Sequence, residues 1–256
     1  MTLPARAGAI AVLQITDTHL YASPDRAYTG IDTLASFEAV LALARRTHWP
    51  TDAIIMTGDL SNDGSEAAYC RLRTRLTALD VPVYCVSGNH DDEETMRRVL
   101  PGRNVHVVPG ADMGAWRAVF VDTVQSGQVG GRVGAAALET LERELAGHRA
   151  QPALICMHHP PVALGSRWLD RLGVANGEAL LEVLDRYANA RAVIWGHAHQ
   201  AFDDRRGALR LLGAPSTCVQ FAPGAEDYRR DTLKPGYRWL RLHADGRLES
   251  GVQRLG

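Results

Sequence analysis

The residues of this 256-residue chain best suited to chemistry fall in five short polar clusters. The clusters hold Asp17 with His19, Asp59, Asn89 with His90, His158, and His197 with His199. With His90 left over, they offer two carboxylates, one amide and four imidazoles. Hard oxygens mixed with imidazole suit manganese, iron, cobalt or zinc better than calcium or copper(I). Seven donors are too many for one ion, but a shared carboxylate divides them into two sets of four. Two divalent ions roughly 3.5–4 Å apart are a known solution to in-line displacement at phosphorus. Two such ions outweigh two aspartates and a hydroxide, so the site stays positive and attracts a phosphate ester.

Taken singly, each cluster has a plainer meaning. Asp-x-His after a strand reads as a turn with a helix N-cap, and Gly-Asp reads as a turn. His158-His159-Pro160-Pro161 reads as a loop whose prolines stop the strand. His197-Ala198-His199 carries more, because alternate residues of an extended segment point the same way. The force of the pattern lies in all five together, each at the end of an apolar run.

Those runs are the elements that must position the clusters. Residues 10–15, 53–56, 83–86, 153–157 and 192–195 are short and apolar, and each runs into one cluster. Between them, residues 33–46, 66–79, 135–146 and 178–187 carry apolar side chains at helical spacing. Runs at 105–108 and 116–121 read as further strands. Beyond Phe202, the turns Arg206-Gly207 and Asp245-Gly246 separate alternating segments, which suggests antiparallel pairing. Strands alternating with helices indicate βαβ units. In α/β proteins ligands bind beyond the carboxyl ends of the strands, so clusters distant in sequence can converge there. The expected fold is α/β over residues 1–256 as one domain, with two sheets packed together and helices outside.

Composition bounds the rest. Hydrophobic residues make up 46% and charged residues 22%, an ordinary globular balance. Net charge is -1, with no global basic field for nucleic acid. Residues 1–6 show no leader pattern, and no apolar stretch is long enough to span a membrane. Cys70, Cys85, Cys156 and Cys218 form no CxxC pair and read as buried thiols in a reducing compartment. A cytoplasmic protein is expected. Lys234 is the only lysine, which suggests coding bias and not function.

In order, the clusters read Asp-x-His, Gly-Asp, Gly-Asn-His-Asp, His-x-Pro and Gly-His-x-His. Over residues 10–199 this series resembles the calcineurin-like metallophosphoesterases. Within that superfamily the chain is most similar to the bacterial class III cyclic AMP phosphodiesterases, the CpdA type. The likeness continues through residues 13–20, 168–170, 215–221, 235–237 and 242–246. It implies a four-layer sandwich of two mixed β-sheets flanked by α-helices. It implies that Asp17, His19 and His199 hold one metal ion, that Asn89, His158 and His197 hold the other, and that Asp59 bridges them. Iron or manganese are the first candidates, with zinc or cobalt as alternatives. The implied reaction is hydrolysis of 3′,5′-cyclic AMP to 5′-AMP by hydroxide formed at the metals. His90 and Asn89 would be catalytic and face the substrate. The alternative is a broader phosphodiesterase acting on glycerophosphodiesters or 2′,3′-cyclic nucleotides.

Departures narrow the reading. Residues 58–64 read Gly-Asp-Leu-Ser-Asn-Asp-Gly and lack the arginine of the Gly-Asp-x-x-Asp-Arg-Gly pattern that marks resemblance to protein Ser/Thr phosphatases. Asn62 stands where purple acid phosphatases carry a tyrosine ligand. Whether Asp63 orients His90 stays open. His159 either packs beside His158 or reaches substrate. Trp168 is a candidate to stack on a base or a core residue, and Asn176 either contacts the nucleotide or caps the following helix. Residues 127–134 hold four glycines and read as a flexible loop. The pairs Arg205-Arg206 and Arg229-Arg230 read as solvated loop charges. The expected partner is a small cyclic nucleotide, with neither nucleic acid nor membrane; relatives are often dimers, so a homodimer is an open expectation.

Overall fold

Runs such as 53–56 are apolar at every position, so both faces of their strands need a cover. A computed structural model describes residues 2–3 and 8–256 and shows how that is met. Most of residues 1–6, where no leader is expected, lie outside the described residues. In chain order come β1 (Thr2–Leu3), β2 (Ala9–Ile15), β3 (Ala27–Tyr28), β4 (Ile31–Asp32), α1 (Thr33–Thr47), β5 (Ala53–Thr57), α2 (Glu66–Thr77) and β6 (Val83–Val86). Then follow α3 (Glu93–Val99), β7 (Val105–His106), β8 (Gly110–Met113), β9 (Trp116–Phe120), α4 (Ala135–Gly147), β10 (Ala153–Cys156) and α5 (Arg167–Asp170). Last are α6 (Gly177–Asp185), β11 (Ala190–Trp195), β12 (Phe202–Arg206), β13 (Leu209–Gly213), β14 (Gly236–His243) and β15 (Leu248–Arg254).

Two large sheets result. The six-stranded sheet has the order β15-β14-β2-β5-β6-β7, and the seven-stranded sheet the order β1-β8-β9-β10-β11-β13-β12. Both are mixed. In the first, β2, β5, β6 and β7 run parallel, while β14 is antiparallel to both β2 and β15. In the second, β9, β10, β11 and β13 run parallel, and β8 and β12 are antiparallel to their neighbours β9 and β13.

Alternation along the strands builds the layers. Leu13 and Ile15 of β2 join Phe37 of α1, Leu72 of α2 and Met96 of α3 on the outer face of the first sheet. Ile10 and Val12 point the other way and meet Trp116, Leu154 and Ile194 of the second sheet. Ile155 and Val193 face outward onto Leu141 of α4 and Leu180 of α6. The order is helices, sheet, sheet, helices.

Local chemistry starts the helices at sharp points. The side chains of Asp32, Ser65 and Asp92 accept hydrogen bonds from Ala35, Ala68 and Thr95 at the N-termini of α1, α2 and α3. The strand expected at 105–108 keeps only Val105–His106, because the chain turns away before Pro109, which has no N–H to offer a neighbour. Cys85, Cys156 and Cys218 are buried, but Cys70 on α2 is half-exposed, contrary to the expectation for all four thiols.

Two buried polar groups tie the sheets together. Gln14 donates through Nε2 to Thr57 Oγ1 at 3.0 Å and to the Trp195 carbonyl at 2.9 Å. Arg238 of β14 is 2% exposed, and its guanidinium donates to the carbonyls of Gly213 and Phe202 and to Ser250 Oγ. Burial lowers its pKa to about 10.

Candidate metal centre

All five clusters sit just beyond the C-terminal ends of their strands. Asp17 and His19 follow β2, Asp59 follows β5, and Asn89 and His90 follow β6. His158 follows β10, and His197 and His199 follow β11. The first three strands belong to one sheet and the last two to the other. The loops after β2 and β5 are zipped together, with Asp17 N donating to Gly58 O at 3.0 Å and His19 N to Asp59 O at 2.9 Å. Gly196 N likewise donates to His158 O at 3.0 Å across the other sheet.

The backbone is bent to bring these side chains inward. Asp17, His19, Asp59, His197 and His199 all have positive φ, from 45° to 61°. Side chains other than glycine adopt that region at a cost and mostly where surrounding structure enforces it. Only two other non-glycine residues among those described, Thr29 and Asp80, share it. The glycines beside the clusters answer a second need. A Cβ on Gly88 would collide with the Asp59 carboxylate, and one on Gly58 with the His158 ring.

The donor atoms converge in two sets. In the first, His199 Nε2 lies 3.3 Å from Asp17 Oδ1 and 3.3 Å from His19 Nε2, and His19 Nε2 lies 3.7 Å from Asp59 Oδ2. In the second, His158 Nε2 lies 3.3 Å from Asp59 Oδ1 and 3.1 Å from Asn89 Oδ1. His197 Nδ1 lies 2.9 Å from Asn89 Oδ1 and 3.3 Å from His158 Nε2. Asp59 is common to both, one oxygen to each.

These residues fit a pair of cations, and the hydrogen bonds say why. His158 Nδ1 donates to Thr57 O at 2.8 Å, His199 Nδ1 to Val219 O at 2.8 Å, and His19 Nδ1 to Asn62 Oδ1 at 3.0 Å. Each outer acceptor fixes Nδ1 as the donor, so that the neutral ring turns the lone pair of Nε2 inward; at His158 a proton takes that place until a cation displaces it. The lone pairs of His19 and His199 then face one another, an arrangement that calls for a positive charge between them. The spacing matches the edges of a coordination shell whose metal–nitrogen bonds are about 2 Å.

Electrostatics point the same way. Burial pulls His19 down to about 3 and His197 well below the usual imidazole range, so both are neutral donors. Burial also opposes charge on His158, but the Asp59 carboxylate outweighs it and pushes His158 up to about 9. A proton there does part of a cation's work. Burial alone would raise Asp59, but the facing His158 holds it well below the usual carboxylate range.

His90 stands beside both sets. Its backbone N–H donates to Asp59 Oδ1 at 2.9 Å, and its half-buried ring meets the His19 ring edge-on, with centroids 4.8 Å apart. Next to it opens a cleft of about 670 Å³ lined by Asn89, Asn62, Gln125 and an acidic rim that includes Asp63, Glu93 and Glu94. Asp63 has no bond to His90; its carboxylate is engaged by Ala22 N, Ser61 and Ser65. Asp91 completes the scaffold, accepting from the amides of Leu60, Ser61 and Gly88 and from Tyr69 OH. Burial pushes its carboxyl up to about 6.

Three residues expected near substrate are engaged elsewhere. His159 is buried, with Nδ1 on Thr123 Oγ1 at 2.8 Å and Nε2 on Val129 O at 3.0 Å, so neither nitrogen is free. It packs against His158 and His197. Asn176 neither caps α6 through its side chain nor faces the cluster; its amide exchanges two hydrogen bonds with the Val133 backbone. Trp168 is half-buried against Phe221 and Tyr228. The glycine loop at 127–134 is also less free than expected, because Gly131 pairs with Gly173 and Ala175 and presses against the His159 ring. Arg206 is not simply solvated, since it pairs with Glu178 and Asp185 of α6. Two aromatic partners were not foreseen from the sequence: Tyr28 stacks on His19 and Phe221 on His199, each at 4.4 Å.

The chain is 42% identical over 252 residues to the 3′,5′-cyclic adenosine monophosphate phosphodiesterase CpdA of Pseudomonas aeruginosa, covering 98% of this chain and 92% of that protein. It is 37% identical over 257 residues to the Escherichia coli K12 protein of the same name, covering all of this chain and 94% of that one. Among solved structures, a dimetal phosphatase from Danio rerio shares the fold, with a TM-score of 0.65, 16% identity and coverage of 97% of this chain and 100% of that one. Residues 10–201, which carry every donor described above, match the calcineurin-like phosphoesterase model. By that match and by its near full-length relatives, the chain belongs to the calcineurin-like phosphoesterase family.

Proposed function

We propose that this chain is a phosphodiesterase that hydrolyses 3′,5′-cyclic AMP to 5′-AMP with two bound transition-metal ions. One observation carries the chemistry: the two oxygens of Asp59 face two separate donor sets. Asp17, His19 and His199 would hold one ion, and Asn89, His158 and His197 the other, with Asp59 shared. The mix of oxygen and imidazole donors favours iron or manganese. Bound, such ions acidify water to a nucleophile at neutral pH and offset charge on the phosphoryl oxygens.

The protein's own groups do the rest. Asn89 Oδ1 lies against His158 and His197, which leaves its amide NH₂ to donate to a phosphoryl oxygen. His90 is fixed through its backbone to Asp59 while its ring borders the open cleft. There it orients the diester and gives a proton to the departing 3′ oxygen. The acidic rim of the cleft would repel a polyanion, which supports a small substrate over nucleic acid. The choice of cyclic AMP rests on the relatives of that name. Within this reading the chain works as one domain over residues 1–256, in the cytoplasm. Among the described residues no helix is long and apolar enough to cross a membrane.

The test is steady-state hydrolysis by manganese-loaded protein of 3′,5′-cyclic AMP, 2′,3′-cyclic AMP and a glycerophosphodiester, with Asp59→Ala as blank. A clear kcat/KM preference for 3′,5′-cyclic AMP, abolished in the blank, is expected. Comparable or faster hydrolysis of the other two esters would reduce cyclic AMP to a side substrate.

A further inference from the structure

The donor sets account for the polar floor of the site but leave an aromatic wall beside it without a role. Phe221 lies flat on the ring of His199, with centroids 4.4 Å apart and planes 11° apart. Tyr228 meets Phe221 edge-on at 5.4 Å, and Trp168 packs against both. On the other donor histidine, Tyr28 of β3 lies flat on His19 and edge-on to His90. The two tyrosine-bearing segments are latched, since Arg230 donates to the carbonyl of Thr29 at 2.7 Å. The segment after Phe221 is held in a narrow loop by Ala222 N on Arg229 O and Asp231 N on Gln220 O. Glu226 in that loop pairs with Arg167 at the start of α5.

Core packing accounts for Phe221, which is buried with Leu169, Cys218 and Val219, and for the sides of Trp168 and Tyr28 that pack on that cluster, but not for Tyr228. Tyr228 is 53% exposed, against the fully buried rings of Trp116 and Trp195 in the true core. Tyr28 is half-buried and rests directly on a histidine of the first donor set. Trp168, half-buried, has its indole N–H buried and without a partner, so it offers a ligand no hydrogen-bond donor.

We propose that Tyr28 and Tyr228 form the subsite that takes the purine base of the substrate, and that Trp168 supports Tyr228 from behind. This deepens the phosphodiesterase reading above and rests on it. The phosphate is recognised at the donor sets, which contact the diester alone and cannot tell one ester from another. Base recognition falls to flat rings beside the donors, because a purine offers a large π-face that stacks well on tyrosine. A diester with no flat group gains nothing from that wall.

The test compares 3′,5′-cyclic AMP with ribose 3′,5′-cyclic phosphate, which keeps the ring ester and lacks the base. Full-length protein loaded with manganese is assayed as wild type, Tyr228→Ala, Tyr228→Phe and Tyr28→Leu, with bound metal measured in each. Wild type should prefer the nucleotide, and Tyr228→Ala should cut that preference about 10-fold, chiefly through KM. Tyr228→Phe keeps the ring and should keep the preference. Tyr28→Leu should lower the preference at unchanged metal content. The tyrosine subsite is overturned if wild type treats both esters alike, or if Tyr228→Ala slows both equally. Either result leaves the phosphodiesterase reading intact. Failure of wild type to hydrolyse either ester would overturn that reading, and the subsite with it.

Discussion

At the mouth of the centre, His90 differs from the buried histidines of the donor sets in keeping a half-buried ring that borders the cleft. Its backbone is pinned to Asp59, so truncating the side chain leaves the donor sets in place. His90→Ala should therefore retain both ions and lose about 10²–10⁴ in kcat, as expected for a missing proton donor. Loss of metal in that variant, with activity restored by excess metal, would make His90 a ligand instead. Asn62 acts at one remove. It accepts from His19 Nδ1 and so sets which nitrogen faces inward. Asn62→Leu should weaken metal binding about 10–100-fold in a direct titration of apo protein. Unchanged affinity would mean that stacking on Tyr28 alone holds the His19 ring.

At the scale of elements, Asp91 joins the loops after β5 and β6 by accepting three backbone amides and a tyrosine hydroxyl. Asp91→Ala leaves those buried donors without a partner, each costing about 1–3 kcal/mol. Chemical denaturation should show a loss of several kcal/mol, and a loss under about 1 kcal/mol would show that water takes over the role. Nothing in the sequence distinguished Asp91 from its neighbours in Gly-Asn-His-Asp, because its partners lie on other loops. The strands that bear the donors were legible for the opposite reason: covered on both sides, they read as unbroken apolar runs. So were α1, α2, α4 and α6, whose buried faces repeat at helical spacing. α3 and α5 are too short for a period to register. His159 and Asn176 looked available to substrate because the groups that engage them, Thr123, Val129 and Val133, come from a remote loop.

Across the whole molecule, the buried histidines make stability depend on pH. Burial lowers His19 and His159 to about 3, and holds His197 low as well, against 6.5 for an ordinary imidazole. Between those values the unfolded chain binds protons that the folded chain refuses, so stability is lost as pH falls through about 6.5. His158 has the opposite sign. Raised to about 9, it contributes below its unfolded value and loses that contribution as pH rises through about 9, so it gives no slope in the acidic window. The lowered carboxylates Asp17 and Asp59 lose theirs only below about 3.8. Asp91, raised to about 6, has the opposite sign in this window and offsets about one of the three histidines, so melting in chelator should still drop from pH 6.5 to pH 4. A flat Tm over that range would show that the cluster opens to water when metal-free.

The division of the donors between sheets has a consequence for how the protein is made. Asp17, His19, Asp59 and Asn89 come from strands of one sheet, and His158, His197 and His199 from strands of the other. Each donor set draws on both. A growing polypeptide that has left the ribosome through Asn89 therefore holds only fragments of either set; the second is whole only once His197 has emerged, and the first only at His199. Even then β2 lacks its neighbour β14, which is among the last segments synthesised. No complete metal site is available to the nascent chain before that point. The apolar layers, with Gln14 and Arg238 joining the two sheets, must therefore bring the halves together before either site can hold an ion with its full set of donors.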